Sequence, residues 1–206
     1  MGRKTIVLIR HGEKYRPAMK EEDELTPKGA QQVFRTGACL AFSREVDDRA
    51  LLICSGARRT WQSAMIIAAA VGIKSQPREN LGFHFEPLKK RLFGNEPDTI
   101  LAEKEQIRKS GGNLATALEV SEWARRGREW VATNILLLAF QMERDGIDNA
   151  VVATHSPFAE LAVMDPSSMP YGLEEADAVV YHVEDGGIVF SGLFLAATGD
   201  FGKKKP

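Results

Sequence analysis

Three short polar clusters each follow an apolar, β-branched run. Arg10-His11-Gly12-Glu13 closes Lys4–Arg10 (KTIVLIR), Ser55-Gly56-Ala57-Arg58-Arg59 follows Ala50–Cys54 (ALLIC), and His155-Ser156 follows Asn149–Thr154 (NAVVAT). Such runs read as strands buried on both faces. Taken singly, each cluster has an ordinary reading: a strand-end histidine is commonly a hydrogen-bonded structural residue, and an arginine a solvated charge. In an open α/β sheet, however, ligands bind outside the carboxyl ends of the strands. Coincident strand ends would gather Arg10, His11, Arg59 and His155. Forked guanidinium donors and imidazoles able to donate or attack are the chemistry of a site for a tetrahedral anion.

The elements that must position these groups follow from the pattern between them. Glu13–Leu25 is dense in charge of both signs, contains Pro17, and reads as a surface loop. Thr26-Pro27 is a helix start, Thr capping and Pro filling the first helical position, where its missing N–H is no loss. Ala30, Val33, Phe34, Gly37 and Ala41 then define one helical face, and Trp61, Ala64, Met65 and Ala68 a second. Between Ser75 and Asp98 the pattern is broken by Pro77, Gly82, Pro87, Gly94 and Pro97, which reads as a loop-rich lid or insertion over 75–98. Helical spacing resumes near Thr99, and Ala115–Arg144 reads as helix with an interruption near Gly127. Ala178–Val183 and Ile188–Phe194 flank Glu184-Asp185-Gly186-Gly187 as a hairpin, and 195–206 reads as a tail. The expectation is one α/β domain over 1–206. It would be a three-layer α/β/α sandwich around a mostly parallel sheet, with an antiparallel C-terminal hairpin at the edge.

Arg10-His11-Gly12 after an apolar strand, followed by Leu25-Thr26-Pro27-Lys28-Gly29, resembles the histidine phosphatase, or phosphoglycerate-mutase-like, superfamily. Ser55-Gly56-Ala57-Arg58-Arg59 is similar to that family's Ser-x-x-x-Arg segment, with Arg59 in the family arginine's place, although Gly56 departs from Ser-Pro. Val151–His155 is similar to the strand bearing the family's second histidine. The resemblance implies a phosphatase acting on phosphate esters or phosphoramidates. His11 would be the nucleophile that forms a phosphohistidine, with Arg10, Arg59 and His155 holding the phosphoryl oxygens. It implies no metal and no other cofactor, because cationic side chains occupy the role of Mg²⁺. For the leaving-group proton, Glu86 in Phe83-His84-Phe85-Glu86-Pro87 is the first candidate, with Glu79 and Glu96 as the others. A plain loop carboxylate is the competing reading of Glu86. A second branch of the family places Asp directly after the second histidine; Ser156 stands there, so that pattern is absent. Phosphoramidate substrates need little acid help, since the leaving nitrogen protonates readily. Phosphoglycerate-mutase-type transfer and a catalytically inactive phospho-ligand or protein-binding member are the alternatives. The implied partner is a phosphorylated small molecule or a phosphohistidine protein, with oligomeric state left open.

Composition agrees with this and removes other classes. At about 150 residues per domain, 206 residues make one domain. With 27 Lys+Arg against 28 Asp+Glu, no positive excess is available for a nucleic-acid partner. Two cysteines, Cys39 and Cys54, suit a reducing compartment. The longest apolar run, Ala64–Val71, falls short of the roughly 18 residues of a membrane span. With no secretory signal after Ile6–Ile9, a cytoplasmic protein without membrane contact is expected. Cys54 does not begin a Cys-x5-Arg phosphatase motif, because Thr60 stands where that arginine would be. No phosphate-loop or dinucleotide glycine motif occurs. Trp123 and Trp130 read as packing residues, and Lys89-Lys90-Arg91 as a solvated basic run or a grip on a second acidic group.

Overall fold

In the computed structural model, residues 2–15, 23–83, 97–195 and 200–202 are described. The strands are β1 (Lys4–Arg10), β2 (Leu51–Cys54), β3 (Arg78–Glu79), β4 (Asn149–Thr154), β5 (Ala178–Glu184), β6 (Gly187–Leu195) and β7 (Asp200–Gly202). The helices are α1 (Pro27–Ser43), α2 (Arg58–Val71), α3 (Pro97–Lys109), α4 (Leu114–Val120) and α5 (Glu122–Asp145). Among the described residues one seven-stranded sheet runs in the order β3-β2-β4-β1-β5-β6-β7. The pairs β3–β2, β2–β4 and β4–β1 are parallel, and β1–β5, β5–β6 and β6–β7 are antiparallel.

Alternation along β1 divides its side chains between two cores. Ile6 and Leu8 join Ile53, Val152 and Tyr181 beneath α5 residues Val131, Ile135 and Leu138. Val7 and Ile9 join Leu52, Val151 and Val180 beneath Val33 and Leu40 of α1 and Ala64 and Ile67 of α2. Helices therefore cover both sheet faces, which is why the central strands carry unbroken apolar runs such as Ile6–Ile9 and Ala150–Ala153. Among the described residues no helix is long and apolar enough to cross a membrane. The β5–β6 turn places Asp185 at φ 48° and Gly186 at φ 78°, the two left-handed positions of the tight hairpin turn expected from Asp-Gly.

Several sequence expectations need correction. The buried face of α1 is Gly29, Val33, Thr36, Gly37 and Leu40, leaving Phe34 53% exposed. That of α2 is Thr60, Ser63, Ala64, Ile67 and Ala68, leaving Trp61 45% exposed. The hydroxyls can be buried because each bonds to a backbone carbonyl: Thr36 to Ala176, Thr60 to Ala57 and Ser63 to Arg59. Gly127 does not interrupt a helix. The break falls at Ser121, whose side chain caps α5 by accepting from Ala124 N, and Gly127 is a close-packing point where a Cβ would lie 2.7 Å from Leu161 Cδ1. Helix α3 begins at Pro97, slightly before the expected Thr99. Residues 195–206, expected as a tail, contain β7; three backbone-paired residues carry no alternation signal. Within 75–98, the part up to Phe83 is knitted to the core. β3 extends the sheet, Trp130 Nε1 donates to Gly82 O at 2.9 Å, and Thr154 Oγ1 donates to Phe83 O at 2.8 Å.

Candidate active site

Strand β4 lies between β1 and β2, with Arg10 opposite Thr154 and Cys54 opposite Ala153. The three strands thus end at nearly one level, and the next residues, His11, His155 and Ser55, emerge side by side. The His11 and His155 rings meet edge to face, with centroids 5.2 Å apart at 71°. Both are nearly buried, at 8% and 7% exposure.

His11 Nδ1 lies 2.7 Å from the carbonyl oxygen of Gly12. A carbonyl only accepts, so Nδ1 carries the proton and Nε2 presents its lone pair. Burial, and then the charges of Arg59, Arg10 and Lys14, lower the His11 pKa to about 3 against the opposing Gly12 bond. Burial and the neighbouring cations thereby favour a neutral imidazole with an unprotonated Nε2, the form able to attack an electrophile. The same depression ties stability to pH. Between about pH 6.5 and 3 the unfolded chain binds a proton at His11 that the folded chain refuses, so stability is lost as pH falls through that window and is unaffected above it. Chemical denaturation at stepped pH checks this: wild type loses stability more steeply than His11→Gln below pH 6.5.

The glycine after His11 is fixed by a close approach. A Cβ on Gly12 would overlap the carbonyl oxygen of Gly29 in the first turn of α1, and a Cβ on Gly29 would overlap that of Glu13. Thr26 holds this turn, its hydroxyl accepting from Gly29 N at 3.0 Å, and Lys28 Nζ meets Glu13 Oε2 at 2.7 Å. Gly12→Ala must part the loop from the helix and move the carbonyl that orients His11. A loss of about 1–3 kcal/mol is expected on thermal unfolding, with activity falling further than stability.

Arg59 and His155 form a connected unit. Arg59 Nη2 lies 3.4 Å from His155 Nδ1, and Ser55 Oγ lies 2.9 Å from His155 Nε2. Thr60 Oγ1 donates to Ala57 O at 2.7 Å, so it must accept from Ser55 Oγ at 3.2 Å. Ser55 in turn must accept from His155, which places the imidazole proton on Nε2 and turns Nδ1 toward Arg59. The other Arg59 terminus, Nη1, pairs with Asp23 Oδ1, while Asp23 Oδ2 accepts from Arg58 N at 2.9 Å. Arg59 Nε is buried with no hydrogen-bond partner. Such a donor is what an anionic ligand would satisfy. Arg10 donates through Nη1 to Leu173 O and through Nη2 to Glu175 Oε1 at 2.9 Å, leaving its other N–H groups for a ligand.

Of the candidate proton donors, Glu86 and Glu96 lie outside the described residues, as does Lys89-Lys90-Arg91. Glu79 ends β3 as an exposed residue, and its carboxylate packs over Gly56, where a Cβ would overlap it. Gly56, at φ 88°, directly follows Ser55. Cys54 is buried and its thiol pKa is raised by that burial, in keeping with its expected packing role. Trp123 is buried and Trp130 partly so, both against the α5 core. Sequence reasoning missed Asp23, Thr60, Glu175 and Glu160. Only Glu160 carried a signal, as the one charged residue in the otherwise apolar Pro157–Met164.

A structure of phosphoglycerate mutase from Bacillus anthracis str. Sterne superposes with TM-score 0.61 at 15% identity, covering 91% of each chain. The protein histidine phosphatase SixA complexed with tungstate gives TM-score 0.59 at 13% identity, covering 95% of this chain and 99% of that one. A mycobacterial glucosyl-3-phosphoglycerate phosphatase gives 0.54 at 16%, covering 94% and 98%. At these identities the likeness is one of fold. No curated protein matches in sequence. The family model described as histidine phosphatase superfamily (branch 1) matches residues 6–156, from the core of β1 to the residue after His155. With its strand-end histidines and arginines inside that span, the chain belongs to branch 1 of the histidine phosphatase superfamily.

Proposed function

We propose that this chain hydrolyses phosphate esters or phosphoramidates through a phosphohistidine on His11. The observation that carries the reading is the bond from His11 Nδ1 to Gly12 O, which leaves Nε2 unprotonated beside Arg59 and His155. In the first step Nε2 attacks phosphorus, the N–P bond forms, and the bond to the leaving oxygen or nitrogen breaks with its electron pair. The leaving group takes a proton, from a carboxylic acid for an alcohol or readily from solvent for an amine. In the second step water attacks phosphorus, the N–P bond breaks, and the water's proton passes to the group that supplied the first. Orthophosphate leaves and the imidazole is restored. Arg10 and Arg59 carry the charge on the equatorial oxygens, while His155, whose Nε2 proton goes to Ser55, supports the Arg59 guanidinium through Nδ1; the proposed reaction runs on positioning and electrostatics without a metal. Glu79 is the candidate acid among the described residues, at the rim beside Gly56.

The test is a quench experiment with p-nitrophenyl phosphate and with phosphoramidate. The expected result is phosphate release together with a base-stable, acid-labile phosphoryl group on the protein at His11. Release without any phosphoenzyme at early times would overturn the reading. Isomerisation of a phosphoglycerate outpacing phosphate release would move it to the mutase class.

A further inference from the structure

Glu160 sits in the short 3-10 turn Phe158–Glu160, five residues beyond His155, and is 0% exposed. Burying a carboxyl group is costly unless it is hydrogen-bonded. Its Oε1 accepts three hydrogen bonds: from Ser156 Oγ at 2.8 Å, Gly172 N at 3.0 Å and Leu173 N at 3.2 Å. Ser156 is the residue after His155. Leu173 is the residue whose carbonyl receives Arg10 Nη1, and Glu175, two residues on, receives Nη2. The same loop continues to Asp177, whose carbonyl accepts from Arg10 N at 2.9 Å, while Asp177 Oδ2 accepts from Glu174 N at 3.1 Å. One carboxylate oxygen thus ties the β4 end to the loop that fixes the guanidinium at the β1 end.

We propose that Glu160 is a positioning residue for the anion pocket: by holding the Gly172 and Leu173 amides beside Ser156, it sets where Arg10 presents its remaining donors. Glu160 acts on Arg10 through the peptide at Leu173, whose N–H donates to Oε1 and whose carbonyl accepts from Arg10 Nη1. The proposal takes the pocket of the preceding reading as the anion site. Its test is binding rather than turnover, so the two can fail separately.

The probe is inorganic phosphate, titrated calorimetrically against wild type, Glu160→Gln, Glu160→Ala, and the same changes combined with Arg10→Ala or Arg59→Ala. Glutamine keeps one oxygen acceptor but replaces the second carboxyl oxygen by an NH2 that disturbs the buried site, so Kd rises about threefold. Alanine removes the acceptor and lets the loop drift, so Kd rises about tenfold or more. Both increments disappear in the Arg10→Ala background, since the group being positioned is gone, and persist in the Arg59→Ala background. A residue of merely structural value would add the same increment in both. An unchanged Kd in Glu160→Gln, or increments of equal size with and without Arg10, overturns the proposal. Glu160→Gln keeps the test decisive if the alanine variant fails to fold. Absence of any phosphoenzyme on His11, with this binding pattern intact, would count against the hydrolase reading alone.

Discussion

Turnover falls by about 10³-fold or more when His11 becomes alanine, and no phosphoryl group is recovered on the protein. Among the described residues His155 is the nearest imidazole, but its Nε2 proton is committed to Ser55 and its Nδ1 faces the Arg59 guanidinium. An imidazole held in that way has no lone pair free of a donor. The anion pocket, in contrast, loses none of its donors in His11→Ala, because Arg10 and Arg59 are fixed by Leu173, Glu175 and Asp23 rather than by His11. Phosphate affinity should therefore change only a few-fold while turnover vanishes. Steady-state rates and a phosphate titration on the same preparation check both halves. Turnover within tenfold of wild type would exclude His11 as nucleophile.

The second large effect is expected at Arg59. Its guanidinium bridges Asp23 and His155 and keeps a buried Nε without a partner, so it supplies both a charge and the geometry of the neighbouring imidazole. Arg59→Ala should lower kcat/KM about 10²–10³-fold, the range seen when one preorganised donor to a developing charge is removed. Arg59→Lys should recover little of this. A single ammonium cannot span Asp23 and His155 while also donating to a phosphoryl oxygen. Full restoration by lysine would mean that only charge matters, against the forked geometry described above. Thermal unfolding of both variants separates this loss from a folding defect.

What was legible in the sequence was local. His11, Arg10, Arg59 and His155 could be found because each stands directly after, or within a few residues of, a run of buried strand residues. The strand itself announces where its carboxyl end must be. Asp23 and Glu175 gain their roles only by meeting residues many positions away, and Glu160 by reaching the Gly172 and Leu173 amides, which no spacing rule encodes; Thr60 acts locally, through Ser55 and Ala57, but only once Ser55 meets His155. The helix faces failed for a different reason. Apolar type suggested Phe34 and Trp61 as inward residues, yet the buried faces include Gly29, Thr36, Thr60 and Ser63 instead. Glycine permits contact between backbones, and a hydroxyl bonded to a carbonyl is no longer polar toward its surroundings. Patterning by hydrophobicity counts both as outward. Gly127 misled in the same direction, since a glycine that admits Leu161 looks in sequence like one that ends a helix.

The insertion of β4 between β1 and β2 also has a consequence for how the protein comes into being. The first two strands are never each other's neighbours; each waits for a segment nearly 100 residues beyond Cys54. During synthesis both leave the ribosome with unpaired edges, and the apolar faces of α1 and α2 have only half a sheet to cover. The pocket cannot form until His155 and the loop of Leu173 and Glu175 that holds Arg10 have emerged. A nascent chain cut short before Asn149 should be an aggregation-prone client of chaperones with no measurable phosphate affinity. Maturation of the site is thus coupled to completion of the chain.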